Sequence, residues 1–268
     1  MVLPEAVCLD AAHGRYNAVR AWLDNSPDAV NDVDARGKTL LYYCCMTWED
    51  PDYGKLVCTD EQYQLARYLL SLGADANRGS LETNATPLHV VAARGNENSS
   101  PIASLLVSAK ANLNAVETRY GRTPLAWAIE DLQGSIRTQR HLAKGSLDVI
   151  VCFLRGGVSL DSVTHAGEWG WESRDASQSI EAYMQYFDSN RAELRENFHW
   201  IACKDFVAGV RKYGSWKAYQ RAPHKSILRL RSLFVRGRAK TTDRRLARIA
   251  HLPNGPCWRV LAFWLGAD

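Results

Sequence analysis

The sequence predicts an all-α fold, a solenoid of stacked helix pairs continued by a helical tail, and three observations lead there. Leu65, Leu69 and Leu72 stand at i, i+4, i+7 on a run that stops at Gly73, the pattern of an amphipathic helix ended by glycine. Thr86-Pro87 then opens a second helix. Threonine serves as its cap, and proline sits at the first helical position, where its missing N–H costs nothing. The same opening recurs at Thr39-Leu40-Leu41 and Thr123-Pro124-Leu125, 47 residues before and 37 residues after Thr86. Recurrence at such a period is the mark of a repeat array.

The ending Gly73-Ala74-Asp75-Ala76-Asn77 and the opening Thr86-Pro87-Leu88-His89, found in that order, resemble the ankyrin repeat. The resemblance implies helix pairs that stack into a solenoid and bind other macromolecules. Four units are expected over residues 5–163. The first, with Ala11-Ala12-His13-Gly14 and then Val19, Trp22 and Leu23, lacks the Thr-Pro-Leu opening, as suits a terminal cap. The second starts at Asp34-Ala35-Arg36-Gly37-Lys38-Thr39, with its first helix running through Cys45 and its second over about Gln62 to Leu72. The third carries Val91-Ala92 and Gly95 and ends on Lys110-Ala111-Asn112-Leu113-Asn114, where lysine replaces the glycine of the pattern. The fourth follows Gly121-Arg122-Thr123-Pro124-Leu125-Ala126, and its second helix spans about Ser146 to Arg155, ending on Gly156-Gly157.

Against a repeat period of about 33 residues, the units carry surplus chain. The surplus is expected between the two helices of each unit, at 47–60, 96–100 and about 133–145, so that insertions line one edge of the solenoid. Insertions on one face often mark a binding face, but turns also tolerate added length because loop-closure entropy grows slowly. Trp48 and Tyr53 in the first insertion favour the binding alternative, since exposed aromatics concentrate at interfaces.

Residues 164–179 are rich in glycine and serine, are expected as a linker, and separate the array from a basic α-helical region over 180–268. In that region Tyr183, Phe187, Leu194, Phe198, Ile201, Phe206 and Val210 are the expected core positions, and one or two helices are expected to cap the last unit. Charge is divided unevenly. Residues 211–248 hold thirteen Lys or Arg and one acid, a formal +12, whereas residues 1–210 hold nineteen Lys or Arg and twenty-seven acids, a formal −8. Arg229, Arg231, Arg236 and Arg238 alternate with apolar residues as on a cationic amphipathic helix, and Arg244 and Arg245 extend the basic tail. Such a segment suits nucleic acid, an anionic membrane surface, another protein or the acidic array of the same chain. Leu252-Pro253 and the apolar residues after it resemble the opening of an F-box. Together with residues 226–237 they are similar to a SOCS box, which implies recruitment of a ubiquitin ligase. Gly255-Pro256 replaces the acidic pair of the F-box, and the SOCS-box cysteine is absent.

Composition and motifs narrow the function classes. A chain of 268 residues with 46% hydrophobic residues has the material for a sizeable core. No run nears the roughly 18 apolar residues of a membrane span, and the first residues lack a secretory signal, so a cytoplasmic or nuclear protein is expected. The seven cysteines form no Cys-x-x-Cys pair and have no zinc-type histidine spacing, which predicts buried, reduced thiols and no metal or other cofactor. Nucleotide-binding glycine motifs, the Gly-x-Ser-x-Gly elbow and His-Glu-x-x-His are all missing, so no catalytic residue is indicated. His89 holds a structural position in the family, where its side chain ties neighbouring turns together. The expected function is therefore a non-enzymatic scaffold or adaptor, monomeric outside its complex, that binds a protein partner. The resemblance places contacts at turn tips and on the exposed side of first helices: Arg36, Lys38 and Met46, then Glu82, Thr83 and Arg94, then Arg119, Tyr120, Arg122 and Glu130. Trp48 and Tyr53 join them from the insertion. A ubiquitin-ligase substrate receptor and nucleic-acid binding through 211–248 are the alternatives.

Overall fold

Helices begin where the threonine caps stand. The computed structural model describes residues 2–46, 48–49, 56–57, 60–93, 95–96, 98–138, 142–161 and 179–236. Tyr53, Arg94, Arg238, Arg244, Arg245, residues 164–178 of the expected linker and the 252–265 segment lie outside them, as do the side chains of Trp48 and Arg231. Four helix pairs follow in order: α1 (Glu5–Ala12) with α2 (Tyr16–Asn25), α3 (Leu40–Cys44) with α4 (Asp60–Ser71), α5 (Pro87–Ala92) with α6 (Ser99–Ser108), and α7 (Pro124–Arg137) with α8 (Ala143–Gly156). Thr39 Oγ1 accepts the Tyr42 N–H at 3.1 Å, and Thr123 Oγ1 accepts that of Ala126 at 3.4 Å, so both satisfy donors that a helix start leaves open. The first helices α1, α3, α5 and α7 stack in one layer and the second helices α2, α4, α6 and α8 in another. Leu40, Leu65, Leu69, Leu88, Ile102, Leu106, Leu125, Ile129 and Phe153 are buried between them. At about 2 kcal/mol per large apolar side chain, this interlayer seam is the main favourable term of the array.

Turns between units require left-handed backbone, and the chain meets that need with and without glycine. Gly37 (φ 73°) and Gly121 (φ 66°) precede the caps of the second and fourth units, and Asn84 (φ 54°) holds the matching place in the third. Helix ends behave alike. Gly73 (φ 86°) and Gly157 (φ 84°) follow α4 and α8, and Lys110 (φ 67°) follows α6. The lysine therefore ends its helix at the place glycine would, at the steric cost an L-residue bears there. Asparagines then link successive units. Asn31 donates to the Gly73 carbonyl (3.0 Å) and accepts from Asp75 N (2.7 Å), Asn77 repeats this with Lys110 (3.2 Å) and Asn112 (2.6 Å), and Asn114 accepts from Ser159 N (2.8 Å).

The surplus chain is only partly loop. In the second unit Trp48–Glu49 pair antiparallel with Leu56–Val57, the one strand pair among the described residues. In the fourth, residues 133–137 continue α7 and 143–145 begin α8, a correction to the expectation that 133–145 is an interhelical insertion. Gly134 and Gly145 are poor helix formers, so packing of α7 on α8 and on the helices that follow, not propensity, supports the added turns. The connector of the third unit touches the first turn of α8 closely. A Cβ on Gly95 would lie 2.3 Å from Ser146 Cα, and one on Gly145 would lie 2.6 Å from the Asn96 carbonyl carbon. One Asp131 carboxylate oxygen accepts from both Gly95 N (2.8 Å) and Ser146 Oγ (2.6 Å).

Beyond the array come α9 (Ile180–Asn190), α10 (Ala192–Arg195), α11 (Phe198–Tyr213) and α12 (Trp216–Val235). The chain forms two compact units, Met1–Ala208 and Gly209–Asp268. Within the first, α9 and α10 pack against α7, as expected of a cap on the last pair. Tyr183, Phe187, Leu194 and Val210 are buried as expected, but Phe198 is 75% and Ile201 43% exposed. The buried stripe of α11 runs instead through Trp200, Cys203 and Val207. Asn197 explains the shift: its Oδ1 accepts the N–H groups of His199 and Trp200 and starts a new helix, so the apolar phase of α10 does not carry across. The described cysteines form no disulfide. Burial pushes the Cys8 thiol up to about 11 and the Cys203 thiol to about 12, so both stay protonated at neutral pH.

Candidate functional site

The expected contact residues gather on the first-helix side of the array in two clusters. At the tips of the second and third units, Arg36 and Glu82 face each other at 3.8 Å, both exposed, while Leu81 N donates to the Arg36 carbonyl and joins the two tips. The ion pair itself is solvated and contributes little. Lys38 Nζ lies 5.5 Å from the Tyr42 ring centre and 6.0 Å from that of Tyr43. Asp34 braces this tip, accepting from Arg36 N, Lys38 N and the Tyr43 hydroxyl. Partial burial opposes its charge, yet those hydrogen bonds hold its carboxyl below the usual range. Met46 follows the end of α3, half-buried, and its carbonyl accepts from the buried Gln62, which also binds the Ala12 carbonyl.

The second cluster is denser. Thr118 N donates to the Thr83 carbonyl at 2.7 Å and sets the fourth tip against the third. Beneath that tip the buried Glu117 carboxylate accepts three backbone N–H groups, from Arg119, Tyr120 and Arg122. Two guanidinium groups then lie over the Tyr120 ring, Arg119 at 5.1 Å and Arg122 at 4.7 Å from its centre. Arg122 donates to Glu130 at 2.7 Å, and the second Glu130 oxygen accepts the Tyr183 hydroxyl of α9 at 2.6 Å. Burial, reinforced by the adjacent Glu130 charge, raises the Tyr183 phenol far above its ordinary value and keeps it a donor. Arg191 adds a hydrogen bond to Gln133 on the extended part of α7. The cap thus fixes one flank of the face.

His89 supports the cluster from below. Its Nδ1 faces the Thr86 N–H and hydroxyl, and its Nε2 faces the Arg122 carbonyl at 3.1 Å, so the proton resides on Nε2. Burial lowers its pKa to about 4, and the ring is neutral at physiological pH.

Between the fourth tip and α7 opens a cleft of about 470 Å³, walled by Tyr120, Arg122, Trp127, Glu130 and Arg137. The Trp127 ring meets His89 edge-on at 5.4 Å, and its buried Nε1–H has no acceptor among the described residues. Trp127, Asp131 and Arg137 are not among the residues the sequence singles out, and Tyr183 is expected there only as a core position. A tryptophan on a first helix, one turn beyond its Thr123 cap and three residues before Glu130, was the available signal. Among the described residues no cluster of His, Cys, Asp and Glu suits a metal ion, and no helix is long and apolar enough to cross a membrane.

The family model for ankyrin repeats, in three copies, matches residues 55–149. This segment is an ankyrin-repeat array. No curated protein matches the chain. The match covers the second helix of the second unit, the third unit, and most of the fourth. It includes the third and fourth tips, the Asn77 link and the cleft, whereas the Arg36 tip and Asn31 precede it, and repeats of this family support protein–protein interaction.

Proposed function

We propose that the protein is a non-catalytic scaffold or adaptor that binds a protein partner along the first-helix face of its ankyrin array. The cleft at the fourth unit carries this reading. It combines an aromatic ring with two guanidinium groups over it and a tryptophan whose N–H lacks an acceptor among the described residues, and such rings and donors are the residue types that dominate binding energy at interfaces. Arg36, Lys38, Glu82, Thr83 and Arg119 extend the contact along the tips, and Arg122 and Glu130 form its floor. The partner is expected to meet a cytoplasmic or nuclear monomer.

The test is capture of partners by the full chain, by Tyr120→Ala and Trp127→Phe variants, and by Arg67→Glu on the outer layer. Loss of the same partner in the first two but not in the third supports the reading. Retention in both cleft variants, with the fold intact by circular dichroism, sinks it. The F-box-like and SOCS-box-like sequence over 226–268 motivates a second reading, a substrate receptor of a ubiquitin ligase. That reading requires ligase core subunits to co-purify with the chain and to vanish when 226–268 is removed.

A further inference from the structure

We infer that the second compact unit binds single-stranded nucleic acid along α12. The turn into this helix is made by Gly214, whose φ of 79° suits glycine, and it brings three aromatic rings together. Tyr219 lies on Gly209, where a Cβ would stand 2.3 Å from the ring. The Tyr219 ring meets Trp216 at 5.7 Å and Tyr213 at 6.3 Å. Trp216 is buried, but Tyr213 is 42% exposed, with Lys212 Nζ 5.3 Å from its ring centre.

From this aromatic end runs a row of exposed cations, Lys217, Arg221, Lys225 and Arg229, each four residues after the last. On a helix that spacing places successive charges about 6 Å apart along the axis and about 40° round from one another, in a gently winding row about 18 Å long. No acidic residue occurs between Arg211 and Thr242, so nothing on α12 offsets the row, and like charges at i, i+4 oppose helix formation. The row stands without a counter-charge on its own helix, which suits a polyanion as its ligand. A membrane surface fits less well, because a helix lying in lipid needs an open apolar face. Here the apolar side of the first turns is occupied: Trp216 is buried, and Tyr219 and Ala222 are half-buried. A duplex or an acidic protein supplies charge but no unpaired base for the exposed Tyr213. Cations that follow a backbone, headed by a ring on which a base stacks, are the pattern that recognises a single strand.

The experiment is fluorescence anisotropy of the full chain with labelled 20-nucleotide oligo(dT) and with the same length of duplex, over a range of salt. Single-strand binding is expected to weaken with salt at a log–log slope of about −3, from about −0.7 per neutralised phosphate for the four cations. Each of Lys217→Gln, Arg221→Gln, Lys225→Gln and Arg229→Gln is expected to lessen the slope by about 0.7. Tyr213→Ala weakens binding about tenfold with the slope unchanged, and Tyr213→Phe restores it. The inference is overturned by duplex binding as tight as single-strand binding, by equal competition from poly-glutamate, or by tighter binding to phosphatidylserine vesicles. Single substitutions that leave both affinity and slope unchanged overturn it as well.

Discussion

The repeat array and α12 treat charge and polarity in opposite ways. In the array, charged groups near the core are tied into place: Glu117 holds three backbone N–H groups, Asp131 joins the third-unit connector to the start of α8, and Glu130 joins Arg122 to Tyr183. Along α12, four cations stand in a row without an acid on the helix. These polar groups brace the fourth unit, and two of them tie it to its neighbours, Asp131 to Gly95 of the third unit and Glu130 to Tyr183 of the cap. Charge left unspent on α12 lowers helix stability and remains available to a partner. The difference separates residues that build a scaffold from residues that await a ligand.

The largest effect that would break this contrast lies where the third-unit connector touches α8. Gly95→Ala places a methyl 2.3 Å from the Ser146 backbone, with no side chain able to yield, and about 3 kcal/mol of stability is expected to be lost. A urea midpoint near that of wild type would show that the connector and α8 separate freely. The next effect is pH dependence through His89. Its folded pKa, about 4, lies below the unfolded value near 6.5, so the unfolded chain binds the extra proton. Stability is complete above pH 6.5 and falls by up to about 1.4 kcal/mol per pH unit on the way to pH 4. Urea midpoints at pH 7.5, 6.5 and 5.5 read this before carboxylates titrate, and His89→Gln should flatten the difference.

Smaller changes sharpen the contrast from both sides. Lys110→Gly removes an L-residue from the left-handed region and is expected to stabilise the array by about 1 kcal/mol, read as a higher melting temperature. On α12, Arg221→Glu places an acid between Lys217 and Lys225, each four residues away, and should add about 0.5 kcal/mol to helix stability at low salt. The gain should fade at high salt. If the row is a binding surface, this stabilising change weakens oligonucleotide binding.

How much was legible depended on the range over which each signal acts. The threonine caps, Pro87, Pro124, Gly73 and Gly157 work within one helical turn, so helix starts, helix ends and repeat register could be read without neighbours. Contact residues Tyr120, Arg122 and Glu130 could be placed from the repeat pattern, but their binding to Tyr183 could not, because 53 residues separate Glu130 from its donor. Phe198 and Ile201 were misassigned because a periodic stripe was continued through Asn197, where a new cap restarts the phase.

By itself the sequence determined the all-α class, the four helix pairs, and the division between an acidic array and a basic tail, since capping, periodicity and formal charge are local properties. Only the tertiary structure decided that Lys110 adopts the conformation of a glycine, that residues 133–137 lengthen α7 to receive the cap, and that Trp127 borders a cleft. Each of these depends on which distant groups are brought within reach, and packing between layers, not local propensity, sets that.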